Sequence, residues 1–327
     1  VAIPNVNIVL RAYDQFCPLI IGAIESPGVA INVNFNTPLS NEFPEDIHAA
    51  EVSFNRYVMA RANGDHRLVG IPAFVLRGFR HRNYIVRRDS PLESLAELKG
   101  KRVGSNSWSD TGTMWARAAL REAGVEVTDV QWVIGHLDEK IKMKPKTSFD
   151  VEPPKGSHFL NNDETLMGGL RAGTVDAVTT AFMPPSVYEV NGEFRRLVRD
   201  FRTAETEYHR RTGIYPGFHV MAFQRSFAEN NPEAVLAVYD ALRASWENWW
   251  LKVKNFGEAS PWAIAEAETM IREFPEDTPP FGLHQPAHRK MLETMCHEQY
   301  AQGIVSAPAD PTKLFSDFEA IAKTAGR

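Results

Sequence analysis

The sequence predicts an α/β chain of two lobes, and three observations carry that prediction. Short apolar runs of strand length alternate with helical patterns over the first two thirds of its 327 residues. Two junctions of similar make-up, Gly78–Arg88 and Glu207–Phe223, set a cluster of Arg and His directly before a new strand, as a chain does on leaving one lobe and on returning to it. From Pro232 onward the pattern is helical, and these helices are expected to pad the first lobe. The lobes are therefore drawn as residues 1–84 with 217–327, and residues 85–216.

Taken in order, Val6–Leu10 reads as a first strand that ends at a polar edge containing Asp14. Ile31–Phe35 alternates as a second, and Ile47–Val52 is ambiguous between strand and helix, with Glu51 and Ser53 at its end either way. Tyr57–Ala62 is helical, and Leu68–Leu76 is a strong strand. Ligands of open α/β sheets sit beyond the carboxyl ends of strands, so Asp14, Glu51, Ser53, Arg80 and His81 are expected to converge. The second lobe opens with a strand at Tyr84–Val86, a short helix at Leu92–Leu98 and a strand at Arg102–Ser105. The polar loop Asn106–Thr113, with Trp108, Thr111 and Thr113, precedes a helix over Met114–Ala123, whose free N–H groups favour an anion. Val130–Ile134 is a strand, Leu137–Phe159 an exposed excursion and Thr165–Ala172 a helix. Asp176–Phe182 is a strand whose Thr179 and Thr180 are placed toward the cleft. Arg195–Val198 and a helix through Tyr208 complete the lobe, and Gly213 and Pro216 turn the chain into the strand His219–Phe223. The helical tail reads as Ala234–Val253, Trp262–Phe274, Ala287–Gln302 and Asp310–Ala322, with Trp246, Trp249 and Trp250 as packing residues.

Composition narrows the function. With 43% hydrophobic and 24% charged residues the chain can bury two cores. A net charge of −5 and a pI near 6.1 argue against a nucleic-acid surface, and no apolar run reaches the ~20 residues of a membrane span. The two cysteines, Cys17 and Cys296, have no zinc or CxxC spacing and read as free thiols, so a cytoplasmic location is expected. No phosphate loop, dinucleotide fingerprint, HExxH or GxSxG is present. What remains is the Arg and His at the two junctions, for which a solvated, charge-paired turn is the plain alternative to a binding site.

The segments GFRHRNYIV (78–86), AAEVS (49–53), EYHRRTGIYPGFHV (207–220), FGLHQPAHRKMLETMCHEQYAQGI (281–304) and LRAGTVDAV (170–178) resemble the 4,5-dihydroxyphthalate decarboxylase family over nearly the whole chain. Through that family the chain is similar to the type II periplasmic solute-binding fold, two α/β lobes with a ligand cleft between them. The resemblance implies a cofactor-independent carboxy-lyase of a hydroxylated aromatic acid. Such chemistry needs a cation for the carboxylate, a proton for the ring carbon and an acceptor for a ring hydroxyl. Arg80 suits the first, His81 and His219 the second, and Asp14 or Glu51 the third. Trp108, Thr111, Thr113, Thr179, Ser53 and the helix start at Met114 complete the substrate-binding set. The metal-free reading is preferred over a divalent ion held by Asp14, Glu51, His81 and His219. The expected partner is a small aromatic carboxylate, with a homo-oligomer left open. A solute-binding protein without catalysis is the competing class. Arg80, His81 and His219 are expected to come within reach of one aromatic guest.

Overall fold

The computed structural model describes residues 4–143, 150–256, 261–273 and 279–327. In chain order the strands are β1 (Asn5–Val9), β2 (Ala30–Asn34), β3 (Ala49–Ser53), β4 (Leu68–Arg77), β5 (Tyr84–Arg87), β6 (Arg102–Ser105), β7 (Gln131–Ile134), β8 (His158–Phe159), β9 (Ala177–Thr179), β10 (Phe194–Arg196) and β11 (Gly217–Gln224). The helices are α1 (Cys17–Ile20), α2 (Phe54–Ala62), α3 (Thr111–Glu122), α4 (Leu166–Ala172), α5 (Phe201–Thr212), α6 (Arg225–Asn230), α7 (Pro232–Phe256), α8 (Ala263–Glu273), α9 (Pro286–Ala301) and α10 (Ser316–Thr324). No described helix is long and apolar enough to cross a membrane.

The chain divides into two compact units, the first of residues 1–77, 217–289 and 309–327, the second of 78–216 and 290–308. In the first, the strand order is β2-β1-β3-β11-β4. β1 runs parallel to β2 and β3, and β11 is inserted antiparallel between β3 and β4. One core cluster joins Val6, Ile8, Val69, Ile71, Met221 and Phe223 of the sheet to Val235, Leu242 and Trp246 of α7. Each such fully buried side chain contributes about 1.5–3 kcal/mol by leaving water. Trp246 and Trp250 stack at 6.2 Å along α7, so the tryptophan-rich helix is a packing element. Elsewhere in the unit Phe54, Phe74 and Phe315 form an aromatic group, and the Tyr57 hydroxyl accepts the Gly70 N–H at 3.1 Å. A Cβ at Gly70 would lie 2.6 Å from the Tyr57 ring, which is why that strand position carries none.

The second unit has the order β10-β5-β9-β6-β7-β8, with β6 parallel to β7 and β9 and with β5 antiparallel to β9 and β10. Among the described residues one apolar cluster is built with Ala116, Ala119 and Leu120 of α3 and another with Leu166, Met167 and Leu170 of α4. Alternate residues of β5 enter the two clusters, Tyr84 and Val86 the first and Ile85 the second, as the two-residue period of a strand requires.

Several elements depart from the reading of the sequence. The first boundary falls at 77/78 rather than 84/85, because Gly78–Asn83 pack on α5 and the turn after it: Arg82 N–H donates to Glu205 at 3.2 Å and Phe79 stacks on Tyr215 at 5.0 Å. Residues 290–308 join the second unit rather than the first. The fully buried Arg117 bonds Gln302 at 2.8 Å and Arg121 bonds Glu298 at 2.6 Å, and these bonds hold the segment there. α3 begins at Thr111, since Asp110 is its N-cap. The expected helix at Leu92–Leu98 is a single 3-10 turn, Leu95–Leu98. The end of the Leu137–Phe159 excursion pairs with β7 as the edge strand β8, while its residues 144–149, like Phe274, lie outside the described residues.

His288 is nearly fully buried, its Nδ1–H donating to the Gly282 carbonyl at 2.7 Å and its ring edge-on to Phe74 at 4.9 Å. Burial, with Arg77 and His284 nearby, brings it down to about 4. Between pH 6.5 and 4 the unfolded chain therefore binds the proton and the folded chain does not, so stability falls as pH falls through that window, by up to roughly 3 kcal/mol. Urea melts from pH 7 to 4 should show His288→Asn losing less stability than the wild type; equal losses would assign the acid sensitivity elsewhere.

Candidate functional site

In the first unit, strand register builds a buried carboxylate cluster. β1 and β3 are parallel with Val9 opposite Ala50, so the chain leaving β1 runs past the next β3 residue, Glu51. Arg11 N–H there donates to Glu51 Oε2 at 3.0 Å. β11 sets Met221 opposite Glu51 and His219 opposite Ser53, which makes His219 the diagonal neighbour of Glu51 on one sheet face. The register of β11 against β4 is irregular on both sides of His219, a bulge of the kind that re-aims a side chain. His219 Nδ1 hydrogen-bonds Glu51 Oε1, and the Tyr13 hydroxyl donates to the same oxygen at 2.6 Å.

Glu51 has no exposed surface. Burial alone would raise its pKa, but the bonds from His219, Tyr13 and Arg11 N–H overcome this and hold it below the ordinary carboxylate range. Tyr13 is pushed far up by burial and by the Glu51 charge, so its hydroxyl stays a donor. With Nδ1 engaged, Nε2 is the His219 nitrogen left for a substrate, and the side chain keeps 19% of its surface exposed. Ser53 is half-buried and bonds Asn41 through its backbone. Asp14 is exposed at the start of a 3-10 turn, and its neighbour Tyr13 takes the place expected for it beside Glu51.

In the second unit a 3-10 turn, His81–Asn83, presents Arg80 and His81. Glu205 of α5 accepts Arg82 N–H, and Asn83 Nδ2 donates to the Thr180 carbonyl at 2.9 Å, so the turn is tied at both ends. His81 is 7% exposed, packs on the Tyr208 ring at 5.2 Å, and its buried Nδ1 finds no hydrogen-bond partner among the described residues. Burial lowers its pKa, so the ring is neutral at pH 7 until a negative charge arrives beside it. Burial and the Arg82 charge bring Arg80 down to about 10, which leaves it charged at neutral pH. Glu205 is raised by burial despite the cations around it. The Arg80 guanidinium rests at Gly112, in the first turn of α3.

The remaining binding candidates divide. Thr111 is the first residue of α3 and buried, beside Gly112. Thr113 spends its hydroxyl on the Asp110 carbonyl at 2.9 Å, and Met114 N–H is taken by the same carbonyl at 3.0 Å, so the helix start is Thr111–Thr113 rather than Met114. Trp108 is corrected to a core residue, with the Arg117 guanidinium 3.8 Å over its ring and Trp132 edge-on at 5.0 Å. Thr179 is fully buried opposite Tyr84. Among the described residues no three His, Cys, Asp or Glu side chains gather as metal ligands. The sequence reading missed Tyr13, Glu205 and Gly112. The β1–β3 register is the signal that finds the first, and the i, i+3 spacing of Glu205 and Tyr208 on α5 is the signal that finds the second.

Comparison with known proteins agrees with this architecture. The model of a family described as ABC transporter, phosphonate, periplasmic substrate-binding protein matches residues 53–242. The aliphatic sulphonate binding protein of Escherichia coli superposes with a TM-score of 0.52 at 16% identity, covering 95% of this chain and 91% of its own, a likeness of fold. The 4,5-dihydroxyphthalate decarboxylase of Comamonas testosteroni is 25% identical over 321 residues, 95% of this chain and 96% of that protein. The enzyme of the same name from Pseudomonas putida is 31% identical over 216 residues, 63% of this chain and 81% of that protein. The chain therefore belongs to the 4,5-dihydroxyphthalate decarboxylase family, on the fold that the phosphonate-type substrate-binding family model describes.

Proposed function

We propose that the chain decarboxylates a hydroxylated aromatic carboxylic acid, and that 4,5-dihydroxyphthalate is the first substrate to test. The observation that carries this reading is the buried Glu51 paired with the part-exposed His219, in a chain whose relatives bear that name. A carboxylate fixed against an imidazole orients and charges a general acid, which proton transfer to carbon uses and simple ligand binding does not need.

Losing CO₂ from an aryl acid moves the electron pair of the C–C bond into the ring, and a proton must end on the carbon that bore the carboxylate. A ring hydroxyl para to that carbon supplies electrons from its oxygen lone pair and recovers them when the C–C bond breaks, keeping its own proton. Protonation of the carbon breaks aromaticity and C–C cleavage restores it, so carboxylate plus one proton gives arene plus CO₂. His219 is assigned the proton transfer through Nε2. Glu51 orients the ring and balances the imidazolium charge without touching substrate, because it is fully buried and both its oxygens are bonded within the protein. This departs from the role of hydroxyl base first expected of Glu51. Arg80 is assigned the carboxylate, for which its planar fork is matched, and His81 a polar contact that strengthens as the anion raises its pKa. The second reading is binding of an aromatic or sulfonate-like anion without turnover, which the substrate-binding family match over 53–242 favours.

Incubation with a panel of hydroxylated benzoates and phthalates should release CO₂ from acids with a hydroxyl para to a carboxylate. Saturable binding with no CO₂ would replace the decarboxylase by the binding protein. His219→Ala and His81→Ala should each lose turnover with unchanged circular dichroism, and full turnover by both would remove histidine from the mechanism. Glu51→Gln, which keeps the shape and removes the charge, should lower kcat by about 10²–10⁴ with a smaller change in KM. An unchanged kcat would make the Glu51 cluster structural only.

A further inference from the structure

Glu51 Oε1 serves two donors, His219 Nδ1 and the Tyr13 hydroxyl, while Oε2 accepts Arg11 N–H. One oxygen is thus shared between an imidazole and a phenol, and the phenol is firmly placed. The Tyr13 ring packs against the apolar core of the first unit. Its carbonyl accepts Phe16 N–H at 2.8 Å and Cys17 N–H at 3.1 Å, which opens the 3-10 turn Asp14–Phe16. That turn is anchored in its own right, since Gln15 Nε2 donates to the Val75 carbonyl at 3.1 Å and the Ser245 hydroxyl donates to the Gln15 carbonyl at 3.0 Å.

A donor fixed in this way bears on where the shared proton rests. Between a buried carboxylate and an imidazolium the proton can stay on nitrogen, which keeps a charged pair, or pass to oxygen, which makes a neutral one; burial favours the neutral pair. The two are not equivalent at Nε2. An imidazolium that gives up its Nε2 proton becomes neutral imidazole, whereas a ring whose Nδ1 proton has gone to Glu51 would have to become an anion. A second donor on the same oxygen makes Oε1 a poorer proton acceptor and so favours the charged pair. The other charged residue at the cluster, Arg11, meets the opposite oxygen through its backbone N–H.

We infer that Tyr13 is a positioning residue for the proton transfer: its hydroxyl, fixed on Glu51 Oε1, keeps the shared proton on His219 Nδ1, so that His219 presents Nε2–H as an acid. The inference rests on the reading of His219 as the proton donor of the decarboxylation. His219 gives the Nε2 proton to the ring carbon, keeps the one on Nδ1, and is neutral until solvent returns a proton. Tyr13→Phe leaves the ring in the core and removes only the donor.

The test is infrared spectroscopy and kinetics on the wild type, Tyr13→Phe, Glu51→Gln and the double variant. At pH 7 the carbonyl stretch of a buried protonated carboxyl group should appear in Tyr13→Phe and be absent from the wild type and the double variant. Tyr13→Phe should lower kcat by about tenfold to a hundredfold, with KM staying within about twofold. In the Glu51→Gln background the tyrosine substitution should cost no further kcat. No new carboxyl band in Tyr13→Phe, an unchanged kcat, or an equal further loss in the Glu51→Gln background would each overturn the proposal. The band needs no turnover, so its appearance in a chain that releases no CO₂ from any acid would sink the decarboxylase reading alone.

Discussion

The carboxylate of Glu51 has no exposed surface, and three donors keep it ionised: His219, the Tyr13 hydroxyl and Arg11 N–H. A buried charge is tolerated only with such compensation, and removing one partner of a buried pair costs about 3–5 kcal/mol. The first unit is arranged around this requirement. β3 must be central so that β1 brings Arg11 N–H from one side and β11 brings His219 from the other. The same sheet face that carries Ala49 and Phe223 in the apolar core passes within a few residues to Glu51 and His219, so a well-packed core anchors a polar cluster at its end.

The second unit applies the same economy to cations. Its core positions α3, and the turn His81–Asn83 is fastened to α5 by Glu205 and to the end of β9 by the Thr180 carbonyl. Arg117, fully buried, shows the other use of arginine: stacked on Trp108 and bonded to Gln302, it holds residues 290–308 in place. Arg80 and Arg117 both carry their guanidinium groups beside or within the segment 108–117. What separates them is that one rests against a helix start in a notch and the other lies within an apolar cluster.

Much of this was legible in the residues. The end of one strand named Glu51 and Ser53, and the two junctions named Arg80 and His81 on one side and His219 on the other, because apolar runs bounded by polar groups mark the edge of a sheet. The cluster's third member was one residue off: a 3-10 turn after β1 sends Tyr13, not Asp14, toward Glu51, and turn geometry has no hydrophobic period to betray it. Trp108 and Thr113 read as binding groups because a polar loop before a helix looks open, yet their side chains are consumed by packing and by the Asp110 carbonyl. The return of 290–308 to the second unit depends on buried polar bonds from Arg117 and Arg121, long-range pairings that a helical pattern does not encode.

The central claim is that this chain moves a proton onto a ring carbon as CO₂ leaves. The most direct measurement is the turnover of 4,5-dihydroxyphthalate in D₂O with analysis of the product by mass and NMR. The account predicts CO₂ and a dihydroxybenzoate carrying one deuterium, at the carbon that lost its carboxylate. Recovery of the acid bound but unchanged, with no deuterium on its ring, would contradict it.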